Sequence, residues 1–340
     1  MNGTMRVHHT VWQRFRSSRK AIAALVLLGL MLCISIGAPL IANDRPIVIS
    51  SSHGLAFPIL RDYPETAFGG ELATPADFND PVVQSLISGS DDWAIWPIHR
   101  ASPTRTSLDN PMPSPAAPTK QHPLGTDDRG RDILAQLLSA TRTSLVFGLV
   151  LAAIGVALGT LIGALQGYFG GRSDLFGQRL IEIWSALPEL YLLIIFTAFF
   201  EPSVWVLGIV LALFSWIGLS DVMRAEIYRQ RTADYVAAAR ALGLSHWQIL
   251  RRHLIPNSLA PAISFFPFRV SAAIFALSSL DFLGLGFSAE GASLGALIAQ
   301  GKDNLDAWWI GGPAVAVLAL ILLALVIVGE GLREAFDPTR

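Results

Sequence analysis

Residues 143–171 read TSLVFGLVLAAIGVALGTLIGALQGYFGG and contain no aspartate, glutamate, lysine or arginine. A helix of about 20 apolar residues crosses the roughly 30 Å hydrocarbon core of a bilayer. Three further uncharged stretches have comparable length, at residues 21–42, 202–220 and 307–329. Two more, at about 179–200 and 257–282, are apolar with isolated charges. The sequence therefore predicts an all-α polytopic membrane protein with six transmembrane helices.

The composition agrees with a chain that lies largely in lipid. Of the 340 residues, 52% are hydrophobic and 15% are charged, whereas soluble domains carry about 25% charged residues. The net charge of −1 does not bear on nucleic acid, but the lack of a basic, aromatic-interleaved patch predicts no nucleic acid partner. Cys33 is the single cysteine, so it forms neither an intramolecular disulfide nor a metal site.

The distribution of basic residues predicts the orientation. Four of them lie at the end of residues 1–20, just before the apolar run 21–42. This run is longer than the core of a cleaved signal peptide, which predicts a signal anchor that stays in the membrane as transmembrane helix 1. Of the 25 lysines and arginines, 15 fall on the same side as the N-terminus. Eight more lie in the long segment after the first helix, and long segments translocate largely regardless of charge. The positive-inside rule then predicts that both termini are cytoplasmic.

The segment after the first helix has a different character. Residues 43–121 are rich in Pro, Ser and Asp and contain no long apolar run. Trp93 and Trp96 either anchor this segment at the membrane surface or pack inside a small subdomain, and the sequence leaves both open. We expect an insert and pre-helix segment outside the membrane at 43–141, then a membrane core at 142–340 with a cytoplasmic loop at 223–258.

The most informative part of that loop is DYVAAARALGLSHWQILRRHLIPN, residues 234–257. It predicts two short helices separated by a break. Asp234 is expected to cap the first helix, and Gly243 suits a left-handed C-terminal cap. Ser245 and Gln248 have the spacing of a capping box for the second helix. Pro256 marks the entry to the fifth transmembrane helix.

Small side chains cover the first of these helices, at Ala237, Ala238 and Ala239. A smooth surface lets another protein approach the backbone closely, so a helical hairpin that projects from the membrane is expected to be a docking element. The loop resembles the EAA loop of binding-protein-dependent ABC importer permeases, whose pattern is Glu-Ala-Ala, three residues, Gly, nine residues, Ile-x-Leu-Pro. Ala238, Ala239, Gly243 and Pro256 stand at matching positions. The chain departs from the pattern at three positions, with Ala237 at the Glu position, His253 at the Ile position and Ile255 at the Leu position.

Further segments resemble dipeptide and oligopeptide permeases of this family, namely HPLGTDDRGRDILAQLLSATRTSL at 122–145, SLDFLGLGF at 279–287, SLGALIAQGKDNLDAWW at 293–309 and GEGLREAFDP at 329–338. The insert is similar to that of the second permease of Yej-type peptide importers, a subgroup associated with peptides and the peptide-nucleotide microcin C. The segments that carry this likeness are LIANDRPIVI at 40–49, YPETAFGG at 63–70 and FNDP at 78–81.

The resemblance implies a type I ABC importer permease in the bacterial inner membrane. It implies four kinds of partner: a second permease, a cytoplasmic ABC ATPase, a periplasmic peptide-binding protein and the lipid bilayer. The helix near 234–243, which includes Tyr235, would be the coupling helix that enters a groove of the ATPase. Arg240 either contacts the ATPase or only contributes to the positive-inside charge.

Charged side chains within the apolar segments indicate a functional or structural role, because a charged side chain at mid-bilayer costs roughly 2.5–3.5 kcal/mol on insertion scales. Arg269 is expected near the middle of the fifth helix, where it either contacts a substrate carboxylate or forms a structural ion pair. Glu189 is expected to point inward, with Arg269 as one candidate partner, and Glu182 to share its helix face. Pro188 should bend that helix. Asp281 is expected at the outer interface, close to water.

No segment has the Gly-x4-Gly-Lys-Ser/Thr spacing of a phosphate-binding loop. The chain is therefore predicted to bind no cofactor itself, and ATP is expected on partner subunits. HExxH and CxxC patterns are also absent, which together with the missing phosphate-binding loop predicts a non-catalytic subunit. The alternative is a stand-alone, ion-coupled secondary transporter, which predicts coupling carboxylates at mid-membrane and inverted repeats.

Overall fold

The computed structural model describes residues 11–51, 54–88, 93–107, 113–201, 203–286 and 291–337. The helices in these ranges are α1 (residues 11–17), α2 (Arg19–Ile36), α3 (Ala38–Ile41), α4 (Pro81–Leu86), α5 (Ile133–Phe169), α6 (Gly171–Ser185), α7 (Glu189–Phe199), α8 (Val204–Ser215), α9 (Ile217–Gln230), α10 (Asp234–Ala241), α11 (His246–Ile249), α12 (Ile255–Asn257), α13 (Leu259–Phe282), α14 (Leu294–Asp303) and α15 (Trp308–Phe336). A 3₁₀ helix covers Glu65–Phe68, and a π-helical turn covers Leu250–Leu254. The strands are β1 (Val48–Ser51), β2 (Gly54–Ala56) and β3 (Trp93–Ile95).

Five helical stretches in the described chain are long and apolar enough to cross a membrane: α2, α5, α8 with α9, α13 and α15. A sixth crossing results if α6 and α7, which are bent by 64° at their junction, form one broken span. The bend lies where the sequence predicts it, since Pro188 directly precedes α7 and proline disfavours helical geometry in the residue before it. The all-α architecture with six crossings is confirmed in this form.

Two helix boundaries differ from those expected from hydropathy. The first span ends at Ile36, and the short helix α3 follows Gly37. Helix α5 begins at Ile133, well before the uncharged run at 143–171. It begins there because the Asp132 carboxylate accepts a hydrogen bond from the Ala135 backbone N–H at 2.8 Å, which is the geometry of an N-terminal cap. Capping by a polar residue, and not hydropathy, determines this boundary.

The described residues fall into two compact units. Unit 1 draws on Met1–Gly29, Ser144–Phe287 and Leu318–Arg340, and unit 2 on Leu30–Thr143 and Ser288–Val317. Unit 2 contains an antiparallel sheet in the order β2-β1-β3. Ile49, Phe68 and Phe78 are buried in its core. The strands are therefore confined to the insert.

The two tryptophans of the insert behave differently. Trp96 packs against the core of this subdomain, and the Arg100 guanidinium carbon lies 4.2 Å from the centre of its ring. Trp93 on β3 is 49% exposed. Trp96 thus follows the packing alternative, whereas Trp93 leaves its ring available at the surface.

A buried carboxylate organises the segment before α5. Asp132 is 1% exposed, and its Oδ2 atom lies 3.0 Å from His99 Nε2 and 2.8 Å from His122 Nδ1. Burial by itself raises the pKa of this carboxyl, but the close approach of the His99 ring and the hydrogen bonds with the Ala135 N–H and His122 outweigh it, so the net effect lowers the pKa of Asp132. The ionised form is therefore the one that stabilises the fold.

Asp132→Asn should lower the free energy of unfolding at neutral pH by about 2–4 kcal/mol, because two histidine rings lose a charged partner. The loss is measured as a lower Tm. A lowered pKa contributes stability above the unfolded-state value, and this is lost as the pH falls through the folded-state value. The difference in Tm between wild type and variant should therefore stay constant from about pH 7 to about pH 5 and shrink from about pH 4 to about pH 2. Asp80→Asn, an exposed helix cap, is the control. A Tm difference that does not change between about pH 4 and about pH 2 would contradict the role of Asp132.

Within unit 1, α5 packs against α8 and α9 along a line of glycines. They recur at every fourth position, at Gly155, Gly159, Gly163 and Gly167. A Cβ atom at each of the last three would lie under 3.0 Å from a backbone oxygen of Trp216, Ser220 or Arg224, respectively. Small residues at this spacing let membrane helices approach until their backbones touch. The sequence interpretation did not use this motif, although the spacing was visible.

Candidate functional site

The loop between α9 and α13 forms the two short helices that its sequence predicts. Gly243 has φ +79°, the left-handed conformation that favours glycine. The Ser245 hydroxyl accepts a hydrogen bond from the Gln248 N–H, and the Gln248 side chain accepts one from the Ser245 N–H. This confirms the predicted capping box. Pro256 lies in α12, directly before α13.

The predicted capping role of Asp234 is wrong. Ala233 is the residue that precedes α10, and no side chain caps this end. Asp234 is the first residue of the helix, since the extended backbone occurs at Ala233 (φ −69°, ψ 150°). Its carboxylate still lies in the first turn, where the helix dipole favours a negative charge.

The alanines of α10 lie on two faces. Ala237 and Ala238 are exposed, as a docking surface requires. Ala239 is only 4% exposed and packs with Val236 into a cluster that includes Ile227 and Leu250. Ala239 therefore anchors α10 to the rest of unit 1, and only part of the predicted alanine surface is available to a partner.

Two large apolar side chains stand beside the turn at Gly243. Leu242 is 80% exposed and Trp247 is 53% exposed. Together with Ala237 and Ala238 we call them the loop tip. The sequence interpretation missed both residues, because it treated the loop as two capped helices and assigned no faces. An apolar residue directly before a left-handed glycine was the signal that could have identified Leu242.

The loop is joined to the end of α5 by specific polar contacts. The Tyr168 hydroxyl lies 2.8 Å from His246 Nδ1, and Tyr168 is buried. Arg231 donates hydrogen bonds to the Gly167 and Tyr168 carbonyl oxygens at 3.3 and 3.4 Å. The loop is therefore attached to the end of a long apolar helix by hydrogen bonds as well as by packing.

Tyr235 and Arg240 complete the predicted set on α10. Tyr235 donates a hydrogen bond from its hydroxyl to Gln230 Oε1 at 2.8 Å. Partial burial raises the pKa of Tyr235, so the hydroxyl remains a donor at neutral pH. Arg240 is exposed, and its guanidinium carbon lies 5.6 Å from the centre of the Tyr168 ring, so its charge is accessible to a partner.

A second candidate site is a cavity of about 180 Å³ within unit 1. Glu189 and Arg269 both line it, among mostly apolar residues. In the described part of the chain neither side chain takes part in an ion pair. The structure thus brings together the two charges that the sequence assigns to the membrane interior.

Two other charges differ from expectation. Glu182 does not continue the face of Glu189, because the break at Pro188 separates α6 from α7, and Glu182 pairs instead with Arg179 at 2.5 Å. Asp281 lies at the end of α13, as expected, but it is 2% exposed, so the expected contact of its side chain with water is absent. The cause is local packing, since a Cβ at Gly286 would overlap the Asp281 carboxylate.

Comparison with known proteins gives consistent results. Residues 140–340 match the family described as binding-protein-dependent transport system inner membrane component, and residues 9–53 match the N-terminal TM domain of oligopeptide transport permease C. The chain is 42% identical over 338 residues to the inner membrane ABC transporter permease protein YejE of Escherichia coli, with 98% of both chains covered.

Two more relatives extend the comparison. The chain is 40% identical over 353 residues to the peptidoglycan transport system permease protein YejE of Agrobacterium fabrum, which covers 97% of this chain and 92% of that protein. It is 34% identical over 227 residues to the oligopeptide transport system permease protein OppC of Haemophilus influenzae, which covers 66% of this chain and 73% of that protein.

Proposed function

The chain belongs to the family of binding-protein-dependent transport system inner membrane components, and from that premise we propose that it forms half of a translocation pathway for peptides. It is a non-catalytic permease subunit of an ABC transporter in the inner membrane. Oligopeptide and dipeptide transport are named for several relatives, which supports a peptide substrate. Within that class, a microcin C-like peptide-nucleotide is the finer proposal, and it rests on the Yej-type insert.

We infer that the chain works in a complex with two kinds of soluble partner, an ABC ATPase and a periplasmic peptide-binding protein, and with a second permease as a heterodimer. The proposed orientation has both termini in the cytoplasm. Residues 1–20 are then cytoplasmic, 21–42 form the anchor, 43–141 are periplasmic, and 142–340 form the permease core. The loop at 223–258 faces the ATPase in this arrangement.

The observation that carries the proposal is the loop tip. Leu242 and Trp247 are exposed, while Ala239 and Val236 fix the same helix to unit 1. Exposed apolar groups on a rigid, well-capped element are typical of protein–protein contact sites. The remaining predicted residues of the coupling site are Asp234, Tyr235, Ala237, Ala238, Arg240, Gly243, Ser245 and Pro256.

Affinity purification of the chain from mild-detergent membranes tests the proposal, with co-purifying proteins identified by mass spectrometry. We expect a soluble ATPase and a second permease in comparable amounts. A variant with Leu242→Ser and Trp247→Ser should retain the second permease and lose the ATPase. A solitary chain that transports in vesicles without ATP would favour the ion-coupled secondary transporter instead.

A further inference from the structure

The cavity of unit 1 holds two opposite charges that do not neutralise each other. Glu189 is the first residue of α7, and Arg269 lies within α13. Both side chains line the same cavity, yet no ion pair joins them in the part of the chain that the structure describes. A structural ion pair, the simpler explanation for a charge in a membrane helix, is therefore not what the geometry shows.

The Arg269 side chain has a defined place at the cavity wall. A Cβ at Gly218 would lie 2.6 Å from Arg269 Nη2, so the guanidinium lies against the α9 backbone in space that only glycine leaves open. The carboxylate of Glu189 projects from the first turn of α7, where the helix dipole favours its negative charge. The two charges are thus held by separate helices on one cavity.

Lipid hydrocarbon is an unfavourable environment for these two charges. Leu151, Leu211, Phe214 and Ala273 supply much of the remaining wall, and hydrocarbon tails cannot solvate a carboxylate or a guanidinium. Glu189 is exposed and Arg269 is partly exposed, so both charged groups are accessible to a ligand. The cavity therefore faces water or a polar ligand that passes through.

The size of the cavity sets the size of that ligand. A sphere of about 180 Å³ is about 7 Å across, which is the reach of two extended residues at 3.3–3.6 Å each. A peptide of two residues carries an ammonium at one end and a carboxylate at the other. The dipeptide thus carries one positive and one negative group, which are complementary to the one negative and one positive side chain of the cavity.

We propose that the cavity is a subsite for the charged ends of a short peptide, with the α-carboxylate at Arg269 and the α-ammonium at Glu189. The inference rests on the proposed function and deepens it. A dipeptide engages both charges at once, whereas a longer peptide engages one charge while its other end extends out of the cavity. Arginine presents a planar pair of donors that suits a carboxylate.

The test uses the complete purified complex and three radiolabelled probes: Ala-Ala, N-acetyl-Ala-Ala and Ala-Ala amide. Binding is measured by equilibrium dialysis without the binding protein, so that the selectivity of the binding protein does not contribute. Wild type should prefer Ala-Ala to both blocked probes. Arg269→Gln should weaken Ala-Ala binding at least tenfold and abolish the preference over the amide. Glu189→Gln should abolish the preference over the acetylated probe.

Matched controls come from the exposed Arg179–Glu182 pair on α6, which does not line the cavity. Arg179→Gln and Glu182→Gln remove the same charges nearby and should leave all three affinities unchanged. Arg269→Lys keeps the positive charge and should retain most of the preference over the amide, which separates a loss of charge from misfolding. Equal affinity of wild type and Arg269→Gln for Ala-Ala would overturn the subsite.

The proposed function is judged separately, by ATP-driven uptake in the same preparation. A complex that retains its ATPase and imports peptide with ATP, but shows no dependence on Glu189 or Arg269, overturns the subsite and leaves the importer intact. A complex that binds the probes as expected but imports nothing with ATP supports the subsite and contradicts the importer.

Discussion

Replacing Gly163 by leucine should prevent α5 from packing against α9 and should remove most folded protein from the membrane. A Cβ at this position would lie 2.9 Å from both the Arg224 backbone nitrogen and the Met223 Cβ, and closer still to the Ser220 carbonyl oxygen. Backbone atoms yield only if the helices separate, so we expect a destabilisation of at least about 3 kcal/mol. The measurement is the yield of monodisperse protein after detergent extraction, with its Tm.

Gly29→Leu is the matched control. Gly29 also lies in a transmembrane helix, α2, but a Cβ there would have nothing within 4 Å. Its yield and Tm should equal those of wild type. If Gly163→Leu also extracts and melts like wild type, the close approach of α5 and α9 is not what holds this part of the protein together.

Replacing Gly243 by valine should abolish ATPase binding while the transmembrane helices remain folded. An added Cβ at Gly243 meets nothing within 4 Å, so the effect comes from the backbone, where φ is +79°. A β-branched residue in this region costs on the order of 1–3 kcal/mol, which the loop can avoid by reorganising the turn and displacing Leu242. Co-purifying ATPase should fall at least tenfold, at unchanged Tm of the transmembrane part.

Asparagine tolerates the left-handed region better than other non-glycine residues. Gly243→Asn should therefore keep a substantial share of ATPase binding. The pair separates a requirement for this backbone conformation from a general intolerance of any side chain. Full ATPase recovery with valine would remove the turn at Gly243 from the coupling site.

The features of the fold that could be predicted are those determined by residues close together in the sequence. Uncharged runs identify the spans because backbone groups in lipid must be satisfied by helices. Gly243 and Ser245 identify the loop because a left-handed cap and a capping box depend on a few adjacent residues. Pro188 identifies the broken span because a proline restricts the backbone of its own residue and of the one before it.

The features that sequence reasoning missed depend on contacts distant in the chain. Asp132 caps α5 and also binds His99 and His122, and hydropathy carries no information about such a cluster. Ala239 could not be distinguished from Ala238 without knowing which face of α10 meets Ile227. The glycine spacing in α5 was readable, but its partners on α9 were not.

For the two charges in the cavity, the sequence likewise predicted one part and the tertiary structure supplied the other. Their presence in apolar segments marked Glu189 and Arg269 as needing a reason, since a charge in lipid is costly. Their meeting at one cavity required the tertiary structure, because α7 and α13 are far apart in sequence. The burial of Asp281 was not foreseen, because it depends on the turn after α13 that brings Gly286 against its carboxylate.

The most direct test of the account is uptake of radiolabelled peptide into liposomes that contain the complex purified through this chain. The liposomes hold ATP inside and the periplasmic binding protein outside. We predict uptake that requires both, persists when ion gradients are collapsed, and is lost with Gly243→Val. Uptake that continues without ATP and stops when the ion gradients are collapsed would contradict the account and identify a secondary transporter.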